Sequence, residues 1–306
     1  MNIYILASTH LKDRDTCLNW LREKDLPPIN RKCPNCKRPM TYEADHGLGR
    51  YRCRNSHSGK GDINISVAKG TWFENVKAGV IKSVLLVYAF TSQMTYEQTI
   101  KKTTIDGSVT SSTTVADWFN YCREVCMCAL DQKYENEGMI GGEGVVVEID
   151  ESLVGKMKYW KGRLRKGNWI LGMVERGKDR NGYRLELRNA DTLIPLIQKH
   201  VAPGTTIITD EWRAYLSLEK YGYKHLTVNH SKHFKDPVTG AHTNTIEGSW
   251  KWMKYKLTTR GYRRDQLAMH LCEYLWFRDC RRNNIDPFDQ MIKDIKNVCP
   301  TNTCNF

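Results

Sequence analysis

Two short β-branched runs in this chain each lead into an aspartate. Val145-Val-Val-Glu-Ile149 runs into Asp150, and Thr206-Ile-Ile-Thr209 runs into Asp210. Continuous apolar runs without alternation mark strands covered on both faces, as in the centre of an α/β sheet. Between them, Trp169–Glu175 and Tyr183–Leu187 read as two further strands joined by a Gly/Asp/Asn turn. A helix starting at Asp191 or Thr192 runs through His200, and Pro203-Gly204 turns the chain back. After Asp210, Trp212–Tyr221 reads as a helix and Lys224–Val228 as a short strand.

Three strands, a helix, another strand and then helices is the element order of a ribonuclease-H-like α/β fold, a mixed sheet with flanking helices. There the first and fourth strands lie side by side, which places Asp150 and Asp210 at neighbouring strand ends. A third carboxylate follows in the stretch from Asn229 to Lys256. That stretch opens on a loop holding His230, His233 and His242. Then Ile246, Trp250, Met253 and Leu257 fall at helical spacing and make one buried face. Thr243 or Asn244 stands at the N-cap position. Glu247 lies in the first turn, where the helix dipole favours a carboxylate, and Lys251 and Lys254 share its side.

Taken singly, each acid has an ordinary role: Asp210 as a helix cap, Asp150 as a turn residue, Glu247 as the partner of Lys251. Together, at the ends of these elements, the three repel one another unless cations neutralise them. Oxygen ligands suit a pair of Mg²⁺ ions, with Mn²⁺ able to substitute. Two such ions ~3.5–4 Å apart activate a water or a 3′-hydroxyl and stabilise the leaving oxygen of a phosphoryl displacement. Glu148 and Glu151 flank Asp150 and are expected on the opposite face of the sheet or beyond the strand's end, as is Glu211 beside Asp210. They are therefore read as peripheral.

The charge balance names the partner. Among 306 residues, 47 Lys and Arg stand against 34 Asp and Glu, a formal +13 with pI near 9.2. Such an excess points to a polyanion, either nucleic acid or an acidic membrane surface. No apolar run reaches the length of a membrane span, the longest lying around Val84–Phe90, and the N-terminus lacks the basic region and cleavage site of a signal peptide. No membrane association is expected. Eleven cysteines, clustered rather than spread, suggest a metal site and buried thiols in a reducing compartment.

The metal site lies near the N-terminus. A short amphipathic helix, residues 13–24, places Leu18 and Leu21 inward and ends before Pro27-Pro28. Cys33-Pro-Asn-Cys36, a tight Lys37-Arg38-Pro39 turn, a Thr41–Ala44 strand and Tyr51-Arg-Cys53 follow. This is the ligand spacing of a zinc ribbon, with Cys33, Cys36 and Cys53 as thiolates and His46 or His57 as the fourth ligand, His57 being preferred. Arg38, Arg50 and Arg52 are among its basic residues suited to phosphate contacts.

Residues 70 to 136 read as helical. Val76–Phe90 is an apolar helix, and Tyr96–Lys102, a turn at Asp106-Gly107 and Ser112–Leu130 resemble a helix-turn-helix capped by Ser111 or Ser112. Val115, Trp118, Phe119, Cys122, Val125 and Cys126 form a core stripe along the second helix, and Glu135–Gly144 reads as a linker. In the following domain, the basic loop from Lys156 to Lys166, with Lys158, Lys161 and Arg163, is a candidate DNA clamp. Asn244, Lys251 and Lys254 are further candidate DNA contacts. Asp265–Arg281 and Pro287–Val298 are helical, with Leu267, Leu271, Tyr274 and Leu275 on one face. The expected domains are residues 1–69, 70–140, 141–264 and 265–306.

The stretches VEIDESLVGK, ITDEWRAY and VNHSKHFKDPVTGAHTNTIEGSWKWMK resemble the transposase domain of the Merlin DNA transposons of eukaryotes and of their bacterial insertion-sequence relatives. The 36 residues between Asp210 and Glu247 are also similar to the spacing of DDE transposases. The resemblance runs from the leader helix and ribbon, through SVAKGTWFENVK, to about Arg264. It implies that Asp150, Asp210 and Glu247 are the catalytic triad. It further implies binding of terminal inverted repeats in double-stranded DNA, cut-and-paste movement, and a homodimer or higher multimer in the synaptic complex. A eukaryotic host would place the protein in the nucleus and a bacterial one at the nucleoid. The ribbon departs from a four-cysteine version of the motif, which bears on the fourth ligand.

Overall fold

A computed structural model describes residues 1–28, 30–44, 48–55, 61–74, 76–105, 107–154, 167–177, 183–188, 193–228, 240–260 and 264–299. The chain forms two units, residues 1–129 with 284–306, and residues 130–283.

The first unit opens with a short helix α1 (Ile3–Ile5), extended by a wider turn over Leu6–His10, and then α2 (Arg14–Glu23). Asp13 caps α2 by accepting from the Thr16 amide, and Leu18 and Leu21 are buried as the pattern requires. Next comes an antiparallel sheet of β1 (Thr41–Glu43), β2 (Arg50–Cys53) and β3 (Ile63–Ser66). Helices α3 (Val80–Thr91), α4 (Tyr96–Thr103) and α5 (Ser112–Glu137) follow, the last turns of α5 from Leu130 belonging to the second unit. A capping box at Thr95 and Gln98 starts α4, and Ser111 accepts from the Thr114 amide at the start of α5. The expected α5 core stripe, Val115 through Cys126, is buried.

Two boundaries differ from the sequence expectation. The apolar helix begins at Val80 rather than Val76, after Gly79. The expected linker from Glu135 is helical through Glu137, because Asp131 to Glu137 contains mostly good helix formers. The helix stops only at Gly138, whose φ of 71° suits a C-terminal glycine.

The second unit is built on a five-stranded sheet in the order β10-β9-β5-β6-β7. Strands β5 (Val146–Val154), β6 (Asn168–Glu175) and β7 (Tyr183–Arg188) form an antiparallel meander. The helix α6 (Leu193–His200) leads to β9 (Thr206–Asp210), which pairs parallel to β5, and β10 (Lys224–Val228) pairs parallel to β9. First and fourth long strands are thus neighbours, the topology expected for a ribonuclease-H-like sheet. A small parallel pair, β4 (Ile140–Gly141) with β8 (Val201–Ala202), forms a separate two-stranded sheet.

Side chains of alternate parity cover the two faces. Val147, Ile149, Leu171, Met173 and Ile207 pack with Leu193 and Ile197 of α6 and with Tyr215 and Leu218. Burial of each such side chain stabilises by about 1.5–3 kcal/mol. The segment expected as a helix over Trp212–Tyr221 forms two 3₁₀ turns instead, Arg213–Tyr215 and Leu218–Tyr221. Those turns point Tyr215 and Leu218 into this core. The opposite face receives α7 (Asn244–Arg260), and α8 (Leu267–Arg282) follows. Leu267, Leu271, Tyr274 and Leu275 are buried on α8, as their spacing predicts. The last helix, α9 (Pro287–Val298), packs in the first unit against α3.

Candidate active site and metal centre

Asp150 does not end its strand. β5 continues to Val154, paired with β6 throughout, whereas its pairing with β9 is recorded only from Val146 to Glu148. Following that register, Asp150 stands beside Asp210, the last residue of β9. The two aspartates therefore meet where the parallel pair opens.

From the other side, α7 lays Ile246 and Trp250 across β6. The indole Nε1 of Trp250 donates to Oδ2 of Asp150 at 2.7 Å. Burial pushes the Asp150 carboxyl up from its ordinary value. The Trp250 indole and the Glu151 amide offset part of that shift, while the charges of Asp210 and Glu247 add to it. Asp150 thus feels the charges of both Asp210 and Glu247. Asp210 accepts from the Trp212 amide at 3.1 Å without capping a helix, the following 3₁₀ turn having Trp212 at its N-cap, and Glu247 accepts from the Thr243 hydroxyl at 2.9 Å. Each carboxylate is oriented by a neighbouring donor.

This donor set, three carboxylates in a partly buried place, fits hard divalent cations. Among the described residues only Cys33, Cys36 and Cys53 gather ligand atoms within 4.8 Å of one another, so the carboxylates are spread more widely than the sulfurs. A pair of ions ~3.5–4 Å apart needs a wider spread of ligands than one ion.

Glu148 corrects the sequence reading. It lies two residues from Asp150 and so shares its face of β5 rather than the opposite one. It is fully buried. Its Oε2 accepts from the amides of Thr245 and Ile246 at 2.9 and 3.1 Å. Its Oε1 accepts from the Thr245 hydroxyl at 2.9 Å and from Arg176 Nε at 2.7 Å, with His242 Nδ1 at 3.5 Å. The N-terminus of α7 is therefore capped from the central strand, while the Thr243 side chain turns to Glu247. Strand parity alone would have flagged Glu148. The capping partners, about 100 residues away in sequence, would not have been visible.

In the ribbon, Cys33 and Cys53 are buried and the Sγ atoms of Cys36 and Cys53 lie 3.6 Å apart. Thiolates ~2.3 Å from a tetrahedral zinc sit about 3.8 Å from one another, so the spacing fits. The Arg38 amide is the largest influence drawing the Cys36 thiol down to about 7, and Asn55 contributes by donating to both Cys36 and Cys53 at 3.4 and 3.3 Å. Asn55 escaped the sequence reading, which looked only for ligands. His46 and His57 lie outside the described residues.

The predicted DNA contacts divide. Arg38, Asn244, Lys251 and Lys254 are exposed. Arg50 pairs with Glu43, and Arg52 with both Glu43 and Asp62, so part of their charge is spent within the ribbon. Lys158, Lys161 and Arg163, like His230 and His233, lie outside the described residues. His242 lies at Glu148. An open groove of ≈ 560 Å³ that the sequence did not reveal runs between α7 and α8. It is lined by Gly248, Trp252 and Lys256 of α7 and by Arg278, Arg281 and Arg282 of α8.

Among solved structures, the chain shows a slight likeness to the mariner Mos1 paired end complex with Mg. The TM-score is 0.25 at 12% identity, over 71% of this chain and 78% of that one. An uncharacterized transposase-like protein of Haemophilus influenzae is 28% identical over 105 residues, which are 33% of this chain and 84% of that protein. Residues 140–276, which hold the sheet, α7 and nearly all the residues discussed in the second unit, match the family model of the ISXO2-like transposase domain. Both sequence matches are thus to transposase or transposase-like proteins, and they support a transposase of the insertion-sequence kind.

Proposed function

We propose that this chain is a DDE transposase that cuts DNA at the ends of a mobile element and joins the freed 3′-ends to target DNA. The observation that carries this reading is that the strand register sets Asp150 beside Asp210 while α7, which carries Glu247, is bonded to Asp150 through Trp250, within the region that matches a transposase domain. Asp150, Asp210 and Glu247 would hold two Mg²⁺ ions, which supply an activated water or 3′-hydroxyl and stabilise the leaving oxygen. Mn²⁺ would serve in their place.

The chain's own groups prepare that site. Trp250 fixes the orientation of Asp150, and Thr243 that of Glu247. Lys251 and Lys254, exposed on α7, face the phosphates of the DNA. Cys33, Cys36 and Cys53, with His57, would bind a structural zinc that stands in for the core so small a ribbon lacks. The ribbon and the α4–α5 pair recognise the terminal inverted repeats of double-stranded DNA. Two or more copies assemble on the paired ends, as in the Merlin-like elements the sequence resembles. The protein acts where the DNA lies, in the nucleus or at the nucleoid.

The test is to incubate the protein with Mg²⁺ and end-labelled duplexes taken from the borders of its element, then map the products. Cleavage at the ends and joining to a second duplex are expected, both lost in Asp150→Asn. Cleavage that survives this substitution overturns the catalytic assignment. Robust cleavage with no joining from a pre-cut end makes the protein a nuclease of this fold.

A further inference from the structure

We propose that Glu148 is a positioning residue for the metal site, setting the height and rotation of α7 so that Glu247 meets Asp150 and Asp210. The proposal rests on the reading above that these three carboxylates bind divalent cations.

A helix lying on a sheet by its apolar face is free to slide, because hydrophobic contact is not directional. Metal ligation tolerates little of this, since sites left loose by about 1 Å lose function. In α7 the Trp250–Asp150 bond is one directional restraint, and Glu148 supplies the one at the helix's N-terminus, next to Glu247. The Glu148 carboxylate receives the Thr245 and Ile246 amides, the donors that the first helical turn leaves without partners. The negative charge also meets the positive end of the helix dipole. Ile246 immediately precedes Glu247 in sequence, and Glu148 precedes Asp150 by two residues on one face of β5. One carboxylate thus ties the two metal-binding elements together beside the ligands themselves.

Arg176 completes the clamp. It sits just beyond β6, donates its Nε to Glu148 and reaches the carbonyl of His242 at 2.5 Å. A buried carboxylate without a cation would be costly, so Arg176 balances the charge while holding the chain that leads into α7.

The experiment measures Mn²⁺ binding to the full chain by electron paramagnetic resonance, without DNA, and duplex affinity by fluorescence anisotropy. Glu148→Gln should weaken Asp150-dependent Mn²⁺ binding about tenfold, leave duplex affinity unchanged, and shift cleavage to higher Mg²⁺ concentration. Because Gln turns an amide N–H₂ toward the donors of the clamp, the single variant is expected to melt early. The double variant Glu148→Gln, Arg176→Met also removes the unpaired cation. It should regain melting temperature without regaining Mn²⁺ affinity. Unaltered Mn²⁺ affinity in Glu148→Gln, or recovery of that affinity in the double variant, overturns the proposal and leaves the active-site reading standing. Absence of Asp150-dependent Mn²⁺ binding in the unaltered protein overturns both.

Discussion

Gly172 and Trp250 share a space that a single β-carbon would fill. Gly172 sits directly opposite Asp150 in the β5–β6 pair, and a methyl group there would lie 2.7 Å from Trp250 Cζ2 and 2.7 Å from Ile246 Cδ1. The glycine is what lets α7 lie close enough for the indole to reach Asp150. Gly172→Ala should therefore lift α7, destabilising the protein by about 1–3 kcal/mol and weakening metal binding at Asp150. Thermal melts with and without Mn²⁺ read both effects. A variant with unchanged melting and unchanged Mn²⁺ affinity would show that the close approach is incidental.

Asp150 carries a predicted cost in the metal-free protein. Its folded-state pKa is raised, first by burial and then by the charges of Asp210 and Glu247. The folded state therefore holds a proton more tightly than the unfolded chain. Stability falls as pH rises from the ordinary aspartate range through the raised value, and the loss is complete above it. At neutral pH in chelator, Asp150→Asn should melt higher than the unaltered protein, each kcal/mol gained being worth about 2–4 °C. It should also abolish cleavage and most of the stabilisation by Mg²⁺. A lower melting temperature in chelator would contradict the raised pKa.

The ribbon makes a separate prediction. If Cys33, Cys36 and Cys53 hold zinc with His57, the purified protein contains about one zinc per chain. Cys36→Ser should lose it and, with it, protection of β1, β2 and β3. Elemental analysis and hydrogen exchange over those strands decide the matter. Full occupancy in Cys36→Ser would exclude Cys36 as a ligand.

What the sequence made legible depended on how locally each feature is encoded. The strands and the α7 face of Ile246, Trp250 and Met253 were readable because periodicity is a local signal, whereas the pairing of β5 with β9 was expected only from the element order of a ribonuclease-H-like fold. The true end of β5 was not readable, since the chain past Asp150 stays extended to pair with β6 on a side the apolar run does not report. Nor were the 3₁₀ turns around Tyr215, where packing against the sheet overrode helical spacing. Glu148 was misplaced for a different reason. Its parity with Asp150 was available, but a buried glutamate makes sense only once its partners at Arg176 and Thr245 are known.

The groove between α7 and α8 supplies the last prediction. Lys256, Arg278, Arg281 and Arg282 line it, Arg281 and Arg282 are exposed, and no acidic side chain is among the described residues of the lining. Trp252, 65% exposed, stands on the same wall. Gly248 contributes no side chain, and a β-carbon there would meet nothing within 4 Å, so the groove stays open without any packing reason for glycine. A basic, open surface on the helix that carries Glu247 suits the backbone of DNA running past the active site. Replacing Arg281 and Arg282 by Ala should weaken duplex binding uniformly across sequences. The slope of log affinity against log salt should fall by about one for each phosphate that is no longer neutralised. Mn²⁺ binding should be unaffected, because neither arginine belongs to the proposed metal site. Gly248→Glu, which puts a negative charge into the groove, should weaken binding further still. Anisotropy titrations at several salt concentrations measure each effect, and an unchanged salt slope in the double arginine variant would remove this groove from the DNA path.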